Sequence, residues 1–111
     1  MQVEFYERGC KPFLKKQRRQ QDNMEAMIRA AIAREVTTGM TKVKLATRKK
    51  IAGQTVYEFR LNLGKLGSAR LAFAADQAHA TVYFISSHLQ KATFSHEFDQ
   101  VVAGLRGVKD E

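Results

Sequence analysis

Several features that would assign this 111-residue sequence to a class are scarce. It contains one cysteine, Cys10, so no disulfide can form within the chain, and this fits a reducing compartment. Its longest apolar runs, such as residues 82–85, are far shorter than the roughly 20 residues of a membrane-spanning helix. The opening residues, MQVEFYERGCKPF, include acidic groups and lack the apolar core of a signal peptide. We therefore expect a cytoplasmic protein.

Low-complexity segments, repeats and linkers are also missing from the sequence. The apolar fraction of 44% is too high for a disordered chain, and the length allows one modest hydrophobic core. Residues 1–111 are therefore expected to form a single domain. Because no second cysteine or nearby histidine could activate Cys10, its thiol is expected to be partly buried and without a chemical role.

Acidic residues are few in the second half of the chain. The formal net charge is +8, and residues 36–91 contain nine basic residues against two acidic ones, Glu58 and Asp76. Such a field attracts phosphate groups, so nucleic acid is the leading class of partner. Solubility and docking to an acidic protein are the alternatives that charge alone leaves open.

The spacing of apolar residues predicts an α+β fold. A first strand at 2–8 precedes two helices, one beginning at Pro12 and one running from Asp22 to Gly39. In the second helix Glu35 is expected to lie off the apolar stripe. A short final helix is expected after Ser95, a favoured N-cap residue.

Between the helices, apolar residues alternate with polar ones, as in strands with one buried face. The alternation predicts strands at 54–62, 69–75 and 80–88, and the basic segment 41–51 is predicted to be an exposed strand or arm. The predicted order is β-α-α-β-β-β-α. Two N-terminal helices would pack on one face of a small, mainly antiparallel sheet.

One face of this predicted sheet collects side chains that sheets usually avoid. Arg60 and Arg70 lie on adjacent strands and face away from the large apolar residues, and His88 and Lys91 follow the next strand. Arginine donates forked hydrogen bonds to phosphate oxygens, and histidine can move a proton at a ribose 2′-hydroxyl. The combination indicates a phosphodiester site. It needs no metal when the 2′-hydroxyl is the nucleophile, and three histidines without clustered carboxylates make a poor ligand set.

Each of these residues also has a structural explanation. Arg60 is placed to form a surface ion pair with Glu58, two residues away on the same strand face. Arg70 could be a solvated strand residue, and His88 could bind a backbone carbonyl at the strand end. The basic run 48–50 could be a solvated edge that blocks unwanted strand pairing.

The spacing of these residues resembles that of the RelE/ParE toxin superfamily, especially its HigB-like and phage-derived branch. There a W-E-L-R strand, an arginine-bearing strand and a third strand ending in H-x-F-x-K-K-T follow one another. The corresponding residues here are YEFR (57–60), ARL (69–71) and HLQKAT (88–93). The chain departs from the pattern at Ala92, where the family has a second lysine, and its tail GVKDE lacks the tyrosine of many RelE members.

The resemblance implies a RelE-like fold and the toxin half of a bacterial type II toxin–antitoxin pair. Such toxins resemble one another in cleaving mRNA, usually in the ribosome, by attack of the 2′-hydroxyl and without a cofactor. The expected partners are mRNA, the ribosome and a cognate antitoxin, with no membrane. The resemblance assigns the catalytic roles to Arg60, Arg70, His88 and Lys91, and contacts with the RNA backbone to Arg48, Lys49, Lys50 and Lys65.

Two other functions remain open at this point. A ParE-like member would inhibit DNA gyrase without cutting RNA, and a basic accessory domain would bind nucleic acid without toxicity. Because gyrase-directed members generally lack the histidine and lysine pair, His88 with Lys91 favours the nuclease.

Overall fold

A mixed sheet of six strands forms the centre of the computed structural model, which describes residues 1–105 and 107–109. The strands are β1 (Gln2–Phe5), β2 (Lys44–Ile51), β3 (Gln54–Asn62), β4 (Ser68–Ala75), β5 (His79–Ser86) and β6 (Val108–Lys109). Their order across the sheet is β1-β5-β4-β3-β2-β6. Strand β1 is parallel to β5, and all the other neighbours are antiparallel.

Three helices cover the two faces of this sheet. They are α1 (Glu7–Lys15), α2 (Gln21–Thr37) and α3 (Lys91–Ala103), and 3-10 turns lie at Arg18–Gln20 and Gly64–Leu66. Helices α1 and α2 pack on one side, here called the first face, where Leu71 and Phe73 are buried. Helix α3 packs on the second face over Ala72. In the described part of the chain, every helix is too short or too polar to cross a bilayer.

The α+β class is confirmed, and so is the packing of the first two helices on one face. The predicted order of elements is wrong, because the described chain runs β-α-α-β-β-β-β-α-β. The basic segment 41–51 contains a strand, β2, whose residues Ala46 and Ile51 are buried in the core and whose pairing with β3 is interrupted by a bulge between Leu45 and Lys50. The sequence predicts an exposed strand or arm here, but the exposed residues Lys44, Lys49 and Lys50 hide the fact that one side of the strand is buried. The last strand, β6, pairs with β2, and the final tail residues 110–111 lie outside the described residues.

Helix α3 begins four residues before the expected cap Ser95. Its N-cap residue is Gln90, which makes no side-chain capping hydrogen bond. The early start brings Phe94 into the helix, where its ring is fully buried and lies 5.2 Å from the ring of Phe84. Burial of an aromatic ring contributes more than a cap, so packing determines where the helix begins. Lys91 consequently lies in the first helical turn.

Helix α1 covers the part of β5 that β1 does not reach. A β-bulge places Tyr83 between residues paired with β4, and a Cβ atom on Gly9 would overlap with the carbonyl oxygen of Tyr83. Beside this contact, the thiol of Cys10 donates to the carbonyl of Val82 at 3.3 Å. Burial raises the pKa of Cys10 to about 12, so the thiol stays protonated.

Candidate functional site

Arg60 and Arg70 lie directly opposite one another on β3 and β4. Like charges in this position repel, so the pair requires a compensating group nearby. Arg60 is exposed and makes no ion pair with any described residue. Arg70 is only 17% exposed, and its environment determines how the pair is tolerated.

The compensating group is the carboxylate of Glu58. Its Oε1 accepts a hydrogen bond from Nη1 of Arg70 at 2.6 Å, across the diagonal of the β3–β4 pair. Nε of Arg70 also donates to the carbonyl oxygen of Leu89 at 2.9 Å. The expected surface pair between Arg60 and Glu58 is therefore wrong: Glu58 is 1% exposed and pairs with Arg70. Two contacts fix the guanidinium plane of Arg70.

His88 belongs to a second polar cluster at the end of β5. Its Nδ1 lies 2.9 Å from Oε2 of Glu97 on helix α3. The hydroxyl of Ser86 donates to Oε1 of Glu97 at 2.9 Å and accepts a hydrogen bond from the backbone N–H of His88 at 3.0 Å. The His88 side chain is 60% exposed, and its Nε2 makes no hydrogen bond within the described chain.

The carboxylate of Glu97 is held in its ionised form. Partial burial raises its pKa, but hydrogen bonds from His88 and Ser86 outweigh this effect and keep the pKa below the ordinary value for glutamate. Because an ionised carboxylate can only accept, Nδ1–H of His88 is the donor of this hydrogen bond, which orients the ring. Nε2 is then directed away from Glu97 and is free to accept or release a proton.

The two clusters meet at one end of the second face. Arg70 pairs in register with Ser86, and the carbonyl that accepts from Arg70 belongs to Leu89, next to His88 in the chain. Lys91 is exposed in the first turn of α3, three residues after His88. The structure thus brings the four predicted catalytic residues to one end of the sheet.

The predicted RNA-binding residues are divided between two places. Arg48, Lys49 and Lys50 are exposed on β2, where Lys50 pairs with Thr55. Thr55 precedes Arg60 by five residues on β3, which corresponds to about 17 Å along the strand. Lys65 is exposed in the turn between β3 and β4, at the same end as the arginines but toward α2. The structure therefore does not bring the run 48–50 into the candidate site.

A cavity of about 580 Å³ opens beside Arg60 and Arg70, between the C-terminal half of α2 and the part of β3 that extends beyond the first residue of β2. Its charged lining comprises Arg34, Glu35, Lys42, Lys44, Glu58, Arg60 and Arg70. Both carboxylates are almost fully buried, Glu35 at 7% and Glu58 at 1% exposure. Oε1 of Glu35 and Oε2 of Glu58 accept no hydrogen bond from any described residue. His88 does not line this cavity.

Comparison with protein-family models, with curated proteins and with solved structures finds no match for this chain. No family is shown. The similarity to RelE/ParE toxins therefore stays a prediction that depends on the motif residues alone. Any function has to be argued from the two clusters and the cavity.

Sequence reasoning missed four residues that build this site: Glu35, Glu58 as partner of Arg70, Ser86 and Glu97. Glu35 carried a detectable signal, because it lies at helical spacing from the buried residues Ile28 and Ile32 and was expected off their stripe. Glu97 carried none, because its approach to His88 depends on how α3 docks. No three His, Cys, Asp or Glu side chains converge as metal ligands within residues 1–105 and 107–109.

Proposed function

We propose that this protein is a metal-independent endoribonuclease, acting as the toxin of a bacterial type II toxin–antitoxin pair. The observation that carries the proposal is the imidazole of His88, oriented by the ionised Glu97 at the same sheet end as Arg60 and Arg70. A histidine–carboxylate pair and guanidinium groups together can supply the proton transfer and the charge stabilisation that speed phosphodiester transfer.

In the proposed reaction, Nε2 of His88 accepts the proton of a ribose 2′-hydroxyl. The 2′-oxygen forms a bond to phosphorus while the bond from phosphorus to the 5′-oxygen breaks, and the leaving oxygen takes a proton from solvent. The products are a 2′,3′-cyclic phosphate and a 5′-hydroxyl. Glu97 stabilises the imidazolium that forms, because the positive charge then lies beside its carboxylate.

The arginines would bind the phosphate and stabilise the negative charge that builds on it. Arg60 is exposed, so its guanidinium can bind non-bridging oxygens. Arg70 uses two of its five N–H donors on Glu58 and Leu89, and the others remain for the substrate. Lys91, in the first turn of α3, adds positive charge beside His88.

The rest of the proposal concerns partners. The substrate would be mRNA, cut in the cytoplasm by the protein in association with the ribosome, and a cognate antitoxin would neutralise the activity. Lys65 would contact RNA next to the site, and Arg48, Lys49 and Lys50 would contact the backbone farther along the strand.

A second function is favoured by two specific observations. The charge of Arg70 is balanced by Glu58, and His88 lies outside the cavity that the arginines line. Both facts fit a domain that binds RNA with its basic side chains and cuts nothing. In that case the contact between His88 and Glu97 would have only a structural role, holding α3 against the end of β5.

Cleavage of a defined mRNA by the purified protein, in the presence of EDTA, separates the two functions. We expect products with 2′,3′-cyclic phosphates, and we expect His88→Ala to lower the cleavage rate by about 10²–10⁴-fold, the usual contribution of an acid–base group. The matched control is His79→Ala, an exposed histidine at the start of β5. It should retain the wild-type rate within about twofold, since it lies at the opposite end of β5.

Two results would contradict the nuclease. One is equal cleavage by wild type and His88→Ala, which would assign the activity to other groups or to a contaminant. The other is tight binding of the mRNA by the wild type without any cleavage, with or without ribosomes, which would favour the binding domain. Substrates with a 2′-deoxyribose at the cut position should resist cleavage if the 2′-oxygen is the nucleophile.

A further inference from the structure

Two buried acceptors in a basic cavity carry an inference about substrate choice. Glu35 and Glu58 both line the 580 Å³ cavity, and one carboxylate oxygen of each, Glu35 Oε1 and Glu58 Oε2, is buried and accepts no hydrogen bond from the described residues. They come from different elements, α2 and β3, and both side chains are more than nine-tenths buried. A buried charged acceptor without a donor is costly, so a fold that keeps two of them in one cavity indicates a ligand that supplies donors.

The remaining charges of the cavity define the other half of that ligand. Arg34, Lys42, Lys44, Arg60 and Arg70 give the lining an excess of positive charge despite the two carboxylates. The ligand must therefore combine an anionic group with N–H donors. A nucleotide has this combination, with a phosphate and a base edge at opposite ends, and the cavity volume lies in the range of small-molecule sites, about 300–1,000 Å³.

We propose that this cavity binds one nucleotide of the RNA through its base and prefers guanine. The inference rests on the proposed function only in taking the nucleotide to be part of the RNA that is cut. The carboxylates of Glu35 and Glu58 would accept hydrogen bonds from N1–H and the N2 amino group of guanine. Lys44 or Arg60 would bind its phosphate, and RNA-binding proteins commonly read unstacked bases at this edge.

Guanine is the base whose Watson–Crick edge best fits two acceptors. It presents two adjacent donors, N1–H and N2–H. Adenine and cytosine each place one amino donor beside a ring nitrogen that repels a carboxylate. Uracil places its single N3–H between two carbonyl oxygens that do the same. An ionised carboxylate can accept hydrogen bonds but cannot donate them, so each further acceptor on the base edge is unfavourable.

Titration of the intact protein with the four ribonucleoside 3′-monophosphates, followed by calorimetry or by amide chemical shifts, tests the inference. We expect guanosine 3′-monophosphate to bind at least about tenfold more tightly than the other three, since a good pair of base contacts commonly discriminates by this much. Glu35→Gln, which keeps the side-chain shape, should lower that affinity at least about tenfold and leave adenosine 3′-monophosphate unaffected. The matched control is Glu25→Gln on the same helix, whose carboxylate already accepts from Gln21 and Arg29 and lies outside the cavity.

Equal affinity for the four nucleotides would overturn the inference, and so would a guanine preference that Glu35→Gln leaves intact. If Glu35→Gln does not fold, the preference of the wild type still decides. Because the titration measures no cleavage, the two proposals fail separately. A guanine preference without cleavage retains the base site and removes the nuclease, whereas cleavage without base preference retains the nuclease and removes the base site.

Discussion

Two adjoining parts of the second face, here called the apolar end and the polar end, differ in what they bury. At the apolar end, α3 packs aromatic rings on the sheet: Phe98 lies 6.0 Å from Phe84 and 6.3 Å from Phe94, ring centre to ring centre. At the adjoining polar end, charged groups are buried or half-buried, among them Glu58 on β3 and Glu97 on α3. Burial of the apolar end stabilises the fold because it removes carbon surface from water. Each buried charge loses its hydration, and a partner must offset that loss.

This difference shows how the fold holds its polar groups in place. Glu97 comes one residue before Phe98 on α3, so the docking of the aromatic rings also determines where the carboxylate meets His88. The apolar end provides stability, and the polar end uses the resulting rigidity to orient an imidazole and a guanidinium. Substitutions at the two ends should therefore differ in whether they change stability or chemistry.

The largest effect is expected at the apolar end. Phe98→Ala should reduce the free energy of unfolding by about 3–5 kcal/mol, the usual cost of removing a buried aromatic ring and leaving a cavity. Urea denaturation followed by circular dichroism measures it. Phe13→Ala is the matched control, because Phe13 on α1 is only partly buried and should cost less than half as much. A loss below about 1 kcal/mol for Phe98→Ala would mean that α3 is not anchored by its rings.

The next effect concerns the buried ion pair. Arg70→Met should cost about 3 kcal/mol in the free energy of unfolding, because it leaves the carboxylate of Glu58 buried without its partner. The double variant with Glu58→Leu should recover most of this loss and come within about 1 kcal/mol of the wild type, since an apolar pair needs no hydration. Equilibrium denaturation of the single and double variants measures the difference.

Two results would contradict this account of the polar end. If Arg70→Met alone leaves the free energy of unfolding unchanged, the ion pair is hydrated. The site would then be less enclosed than the 1% exposure of Glu58 implies. If the double variant is as unstable as the single one, the loss comes from the hydrogen bond to Leu89 and not from the unpaired charge. RNA cleavage should be lost in both variants, which would confirm that the polar end serves chemistry.

The sequence was informative wherever local periodicity decides the structure. The alternation in β3 correctly predicted Phe59 on the first face and Glu58 and Arg60 on the second, because each strand residue faces the side opposite its neighbour. The adjacency of Arg60 and Arg70 followed from the short turn that joins their strands. The structure places them in direct register.

The sequence was uninformative wherever two distant elements must meet. Nothing local indicates that α3 covers the second face, so neither the contact of Glu97 with His88 nor the start of the helix at Lys91 could be derived. Glu58 was assigned to Arg60 because they are close in sequence. In the structure Glu58 pairs instead with Arg70 on the neighbouring strand. An ion pair stabilises a mostly buried guanidinium more than an exposed one, because water screens the exposed charge.

The smallest effect is a pH dependence at the edge between the two ends. Because the pKa of Glu97 is lower in the folded state than its unperturbed value of 4.5, the unfolded chain binds more protons between these two pKa values. The resulting stabilisation is complete above the unfolded pKa and is lost as pH falls through the folded one. We expect Glu97→Gln to be less stable than the wild type by under about 1 kcal/mol near neutral pH, given that its partner His88 is exposed.

Denaturation curves from about pH 6 to about pH 3 measure this, and the gap between wild type and Glu97→Gln should close as the carboxylate becomes protonated. Asp76→Asn is the control, because backbone N–H groups of His79 and Ala78 also lower the pKa of Asp76, far from α3. The double variant should therefore show the sum of the two pH dependences. A gap that stays constant with pH would mean that the ionised carboxylate is not what Ser86 and His88 stabilise, and the orientation of the His88 ring would then need another cause.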